Sequence, residues 1–213
     1  MEILWLGHSC FRIRSREATV VTDPCDKKTG YAIGKLSADI VTVSHDHPGH
    51  SNVAAVANHP RIIRGPGEFE VSGVSIIGIQ TFHDAKRGAE RGKNTAYVFE
   101  MEDLRVCHLG DLGHLPTEEQ VEELSGIDIL MIPVGGGSTI DAGVAMQTVN
   151  LLEPALVIPM HYRTEVSTDP DLAPVDRFLK EMGASDAERT PRLTITRAGL
   201  PSETQVVYLD YRR

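Results

Sequence analysis

Cysteine is scarce and unpatterned in this sequence. Cys10, Cys25 and Cys107 are odd in number and show no C-x-x-C spacing, which argues against a disulfide framework and against a thiolate zinc site. Positive charge is also in short supply. Against 30 Asp and Glu stand 21 Lys and Arg, giving a net charge of -9 and a pI near 5.4, so no general affinity for nucleic acid or anionic membrane is expected. No apolar run is long enough to span a bilayer. Met1 leads straight into EILWLG without a basic n-region or a small-residue cleavage site, and no amphipathic helix with a cationic face is legible, so a cytoplasmic location away from membranes is the expectation. No internal repeat, low-complexity tract or linker divides the chain. With 41% hydrophobic and 24% charged residues, residues 1–213 read as one globular domain with a buried core.

What the chain does concentrate is histidine. SHDHPGH, residues 44–50, carries His45, His47 and His50 directly after an apolar run, residues 38–43 (ADIVTV), that reads as a buried strand. Residues two apart at a strand end project to the same side, so His45 and His47 point together and Asp46 points away. Pro48 and Gly49 turn the chain, and His50 opens a helix-like run, SNVAAVANH, that brings its ring back towards the other two. Several imidazoles around one point are costly to hold together without an ion, and imidazole is the commonest neutral nitrogen ligand of zinc, manganese, iron and nickel.

Further metal-competent groups follow at other predicted strand ends. Residues 2–6, 10–13 and 18–22 read as an opening antiparallel meander, ending in Asp23, which either orients a ligand imidazole or caps a turn. Residues 25–36 read as a surface loop beside the site. Strands are expected at 61–63, 68–71 and 74–82, the last closed by His83 and followed by a mobile, partly basic loop, residues 84–93, in which Lys86 and Arg87 read first as solvated charges and second as contacts for an anionic substrate group. A hairpin, 94–101 with 104–108, leads to Gly110-Asp111. Helices are expected at 116–124, 141–152 (with Val144, Thr148, Leu151 and Leu152 at helical spacing) and 170–182, strands at 129–134, 155–159, 193–196 and 205–209, and the strand at 155–159 delivers His161. His108 reads as a packed strand residue or a support for Asp111, and His59 and His114 as surface residues. Gly135 to Gly137 read as a connection or as a loop near the site.

In order and context this set resembles the metallo-β-lactamase superfamily, whose pattern is H-x-H-x-D-H, a single His, an Asp after Gly and a final His. WLGHSCFRI followed by TDP, the NTAYVFE hairpin before HLGDLGH, and IPMHY resemble the branch that contains L-ascorbate-6-phosphate lactonase and the N-acyl-phosphatidylethanolamine phospholipase D proteins. The resemblance covers nearly the whole chain. It implies an α/β fold, an αββα sandwich of two packed mixed β-sheets flanked by helices with metals at one edge. It further implies a first metal site on His45, His47 and His83, a bridging Asp111, and a second site with His50 and His161. One ligand of the pattern is missing, because its Asp is Gly49 here. His8, in the turn LGHS, is an extra candidate ligand, since the branch carries a His there; a turn histidine bonded to backbone is the equal alternative.

The function expected from this is a metal-dependent hydrolase that uses activated water on a small, anionic or neutral, ester, lactone or phosphodiester, with Asp111 and His161 in catalytic roles. The competing expectation is a degenerate metal-binding scaffold without hydrolytic activity, motivated by the lost carboxylate at Gly49. The cofactor expected is a divalent metal, zinc or manganese first and iron or nickel next, in one tight site and a weaker second. The expected partner is a small-molecule substrate, with no nucleic acid and no membrane; a homo-oligomer is left open. From this pattern Gly49→Asp alone is expected to raise metal content.

Overall fold

The opening meander forms as its alternation dictates, from β1 (Glu2–Gly7), β2 (Cys10–Arg14) and β3 (Thr19–Thr22), each antiparallel to the last. After a short strand, β4 (Leu36–Ser37), β5 (Ile40–Val43) pairs in parallel with β3, and its IVTV side chains are all buried, as expected of a strand covered on both faces. β6 (Val56–Ala57) pairs with β4, and β7 (Arg61–Arg64) closes that edge of the first sheet beside β5. The structure, a computed structural model, describes residues 1–212.

The second sheet starts with an antiparallel set, β8 (Gly67–Val71), β9 (Val74–Phe82), β10 (Lys93–Met101) and β11 (Leu104–His108). It continues in parallel through crossovers: α1 (Glu118–Glu123), β12 (Ile129–Pro133), α2 (Ala142–Leu152), β13 (Leu156–Met160) and, after α3 (Asp176–Glu181), the last pairing strands. β14 (Leu193–Thr194) returns to β1 of the first sheet, and β15 (Gln205–Val206) edges the second. A capping box of Thr117 and Gln120 starts α1, and the Asp141 side chain caps α2. The result is an α/β sandwich of two mixed sheets with few helices, the fold implied by the resemblance.

Strand direction explains where chemistry can gather. β1, β3 and β5 run the same way in one sheet, and β9, β11, β12 and β13 share a direction in the other. His8, Asp23, His45, His83, Asp111 and His161 all follow the C-terminal ends of these strands, the usual place for ligands in sheets with parallel connections. The sheets are tied together at this edge: the Thr95 amide donates to the Ser44 carbonyl at 2.9 Å, and the Tyr97 hydroxyl to the Val43 carbonyl at 3.1 Å. Trp5 anchors the core behind it. Its ring lies 5.0 Å from Tyr162 and 6.1 Å from Tyr211, while its Nε1 donates to the His8 carbonyl at 3.0 Å. Truncating a buried aromatic of this kind costs about 3–5 kcal/mol.

Several local expectations are corrected. The run after His50 is not a helix but a 3-10 turn, Val53–Ala55, leading into β6; it is short, lacks a side-chain cap at Asn52, and β-branched Val56 is buried in the ladder. The helix expected at 170–182 is confined to Asp176–Glu181, because Pro170 and Pro174 disfavour helix before them and the Ala173 amide is committed to the Gly135 carbonyl. Residues 25–36 are not simply a surface loop: Cys25 and Tyr31 are buried, and Tyr31 packs 5.2 Å from Tyr211. On α2 the buried face is Ala142, Ala145, Thr148, Val149 and Leu152, and Leu151 is exposed.

Candidate metal centre

Four imidazoles converge on one carboxylate oxygen. Asp111 Oδ2 lies 3.2 Å from His50 Nε2, 3.3 Å from His161 Nε2, 3.4 Å from His83 Nε2 and 3.9 Å from His45 Nε2. Its other oxygen accepts from the Ser9 hydroxyl at 3.4 Å, and its amide donates to Asn94 Oδ1 at 2.9 Å, so the carboxylate is aimed rather than free to turn. Asn94 is held in turn by Thr81 and the Leu109 carbonyl. The HLGDLG turn is therefore fixed from β9 and β10 as well as from its own strand.

Ligand atoms fall into three sets, each within 4.8 Å: His45, His83 and Asp111; His45, His47 and His50; His8, His50 and His161. His45, His47, His50, His83, Asp111, His161 and His8 are thus gathered at one edge. His47 is the outlier, since it shares a set with His45 and His50 rather than with His83; it is exposed, and its Nδ1 accepts from the Gly49 amide at 3.2 Å. Asp46 points away, as alternation predicts, with its side chain almost fully exposed towards Arg64.

Asp23 is the group that orients His50. Its Oδ2 lies 2.8 Å from His50 Nδ1, while Ser44 gives its amide to Oδ1 at 2.8 Å and its hydroxyl to Oδ2 at 2.6 Å. A proton on Nδ1 facing Asp23 leaves Nε2 to face Asp111, the arrangement by which carboxylates set the tautomer of ligand histidines. His108 is buried and supports from behind: its Nδ1 accepts from the Gly110 amide at 3.2 Å, so its Nε2 donates to the Ser9 carbonyl at 2.8 Å, linking the LGHS and GDLG turns. His59 is exposed, whereas His114 is half-buried and accepts from the Phe82 amide at 3.2 Å. Gly135 packs closely on the His161 carbonyl, where an added Cβ would lie 2.2 Å away, so the glycine run supports the His161 turn.

The electrostatics call for a cation. Burial alone would lower His50, but Asp111 and Asp23 on either side push it up to about 10. Burial would raise Asp111, yet the pull of His161 and His50 holds it well below the usual carboxylate range. His45 is lowered to about 4, first by burial and then by the charge of His50, and His8 is lowered well below its ordinary value, mainly by burial and by His161 and His50. With His45 and His8 held neutral and a position between two carboxylates that favours positive charge at His50, the cluster has the donor set of a divalent transition metal, and these residues fit one. His83 Nδ1 and His161 Nδ1, both buried, have no hydrogen-bond partner among the described residues.

The loop after His83 is gathered around one carboxylate. Asp84 Oδ1 accepts from the Lys86 and Gly88 amides at 2.8 and 2.9 Å, and Oδ2 from Glu90 and Arg91 at 3.0 and 2.7 Å. Burial would raise this carboxyl, but the four amides hold it at about 2. Lys86 is engaged with Glu90 at 2.6 Å, and neither it nor Arg87 lines the centre. Two clefts do border it. One of about 310 Å³ is lined by His8, His47, Gly49 and Lys28, and one of about 250 Å³ by His45, Arg64, Gln80 and Lys93. Larger hollows of about 610 and 640 Å³ lie elsewhere and contain no histidine, so size does not mark the site. Arg64 and Lys93 were hidden in the sequence because each sits at an ordinary strand end.

Residues 2–161 match a family model described as the β-lactamase superfamily domain. A UPF0173 protein of Pyrococcus furiosus is 30% identical over 200 residues, covering 85% of this chain and 90% of the relative. A UPF0173 metal-dependent hydrolase of Thermococcus onnurineus is 29% identical over 201 residues, covering 80% and 89%. A crystal structure from Thermotoga maritima, described as a candidate Zn-dependent hydrolase of the metallo-β-lactamase superfamily, superposes with a TM-score of 0.83 at 40% identity, covering 99% of both chains. The chain belongs to the metallo-β-lactamase superfamily. Within it, the chain is a metal-dependent hydrolase with a His/Asp cluster able to hold the metal. No helix among the described residues is long and apolar enough to cross a membrane.

Proposed function

We propose that this enzyme hydrolyses a small anionic ester, lactone or phosphodiester in the cytoplasm, with zinc or manganese as its metal. The observation that carries this reading is the convergence of four imidazole Nε2 atoms on Asp111 Oδ2 between two clefts, one of which presents Arg64 and Lys93. His45, His47 and His83 would hold one ion, with Asp111 shared, and His50 and His161 a second, less tightly held one. When bound, the metal supplies Lewis acidity and makes hydroxide available near neutral pH. Asp111 orients the attacking water, His161 faces the same oxygen from β13, and Arg64 and Lys93 attract the anionic end of the substrate into the cleft beside His45. WLGHSCFRI, HLGDLGH and IPMHY, which resemble the lactonase and phospholipase D branch, favour a lactone or phosphodiester over a simple ester.

The test is turnover of a panel of phosphorylated lactones, phosphodiesters and carboxylate-bearing esters, with and without chelator. Chelator-sensitive turnover of at least one anionic member, weakened in KM by Arg64→Ala, is expected. Turnover confined to neutral substrates and indifferent to Arg64 would contradict the substrate class.

A further inference from the structure

Gly49 stands where the superfamily pattern has an acidic ligand, and the structure gives a reason. Its φ is not positive, so the backbone does not require glycine at this position. The space does. A Cβ added at residue 49 would lie 2.9 Å from His8 Nε2, 3.3 Å from His8 Cδ2 and 3.2 Å from His47 Nδ1, and the first of these is closer than real Cβ atoms approach. The imidazole of His8 thus occupies the volume into which an acidic side chain at 49 would start.

His8 is held there at a cost. It has φ +55, as His161 has φ +51, a left-handed conformation that a residue with a Cβ adopts at a cost. The two strained residues are joined by a bond from the His161 amide to the His8 carbonyl at 3.1 Å, and the same carbonyl accepts from Trp5 Nε1. Their rings lie 4.2 Å apart, that of His50 lies 4.9 Å from His8, and the ligand atoms of all three are within 4.8 Å of one another. A turn histidine that served only its own backbone would need neither the strain nor this aim.

We propose that His8 replaces the missing acidic ligand of the second metal position, completing a donor set of His8, His50, His161 and Asp111. The exchange makes this position rich in neutral nitrogen, and therefore selective for zinc and its late first-row neighbours over manganese and magnesium, which favour carboxylate oxygen. It also means that a side chain at 49 would crowd the imidazole at 8 as it now stands, so that one of the two must shift. Gly49→Asp alone is therefore expected to lower metal content, the reverse of what the sequence pattern suggests. This inference rests on the cluster being a metal centre.

The test is elemental analysis of metal per chain after loading with equimolar zinc and manganese and dialysis against dilute chelator. The variants are His8→Asn, Gly49→Asp and the double variant His8→Asn/Gly49→Asp. Asparagine tolerates the left-handed conformation of residue 8 and removes the ring, so the variant keeps the turn; thermal melting of metal-free samples checks that it folds. Wild type is expected to retain about two ions per chain, mostly zinc, and His8→Asn about one fewer. The double variant is expected to regain the second ion with a larger share of manganese. Equal retention in wild type and His8→Asn, or a double variant no different from His8→Asn, would overturn the role given to His8. Wild type that retains no metal would instead overturn the metal centre itself. If His8→Asn melts as an unfolded chain, His8→Gln decides by the same counts.

Discussion

The two halves of the metal centre are built to different standards of burial. His45 and His83 each leave 10% of the side chain exposed, His45 beside a cleft, whereas His50 and His161 leave 1% and 3%. The open half rests on strand ends and on a loop gathered by Asp84. The closed half is fixed by a buried carboxylate, Asp23, and by two strained turns bonded to each other. The difference separates two tasks: the closed half is organised to hold charge in place, and the open half to admit and release a substrate.

Breaking what the halves share has the largest expected effect. Asp111→Ala removes the one oxygen that all four imidazoles face and leaves them without their common carboxylate. A loss of roughly 1,000-fold or more in kcat/KM is expected, in keeping with the several kcal/mol that a catalytic metal supplies. Steady-state kinetics against wild type, with circular dichroism to verify folding, measures it; activity within tenfold would remove Asp111 from the centre.

Asp23→Ala sharpens the comparison, because the ligand it touches directly is His50 in the closed half, while it reaches His45 only through Ser44. Losing the carboxylate that fixes a ligand histidine costs about 10–100-fold in metal affinity or activity. The expected signature is asymmetric: the ion beside His50 is lost first during a chelator titration, while the ion beside His45 and His83 stays. Simultaneous loss of both would show that the halves are not separable.

The smallest effect is expected at Asp84, which acts on the open half through the loop after His83. Asp84→Ala should speed hydrogen exchange at the Gly88, Glu90 and Arg91 amides while turnover falls less than in Asp23→Ala. The same loop has a pH signature. Because its carboxyl is held at about 2, below the ordinary aspartate value, its contribution is complete above that ordinary value and is lost as pH falls towards 2. Protection of those amides that is unchanged by the substitution would assign the loop's order to other contacts.

The sequence made the strands and the direction of their side chains legible, since alternation fixes where His45, His47 and Asp46 point and buried runs such as IVTV mark the strands that deliver ligands. It concealed whatever depends on distant contact. Nothing local links His8 with Gly49, which meet only because β1 and the turn after β5 end at the same edge. The segment from 84 to 92 looks mobile by its glycine and charge, yet one aspartate collects four of its amides. The helix-like run after His50 failed for the opposite reason: its apolar spacing was real, but Val56 was needed in a ladder with Leu36. Arg64 and Lys93 acquire meaning only once His45 is seen between them and Asp111.

Anomalous diffraction from crystals grown with zinc, collected at and below the zinc edge, tests the central claim most directly. The account predicts anomalous density between Asp111 Oδ2 and the imidazoles of His45, His47 and His83, with a second peak among His8, His50 and His161. Zinc bound only at surface residues, with no peak beside Asp111, would contradict it.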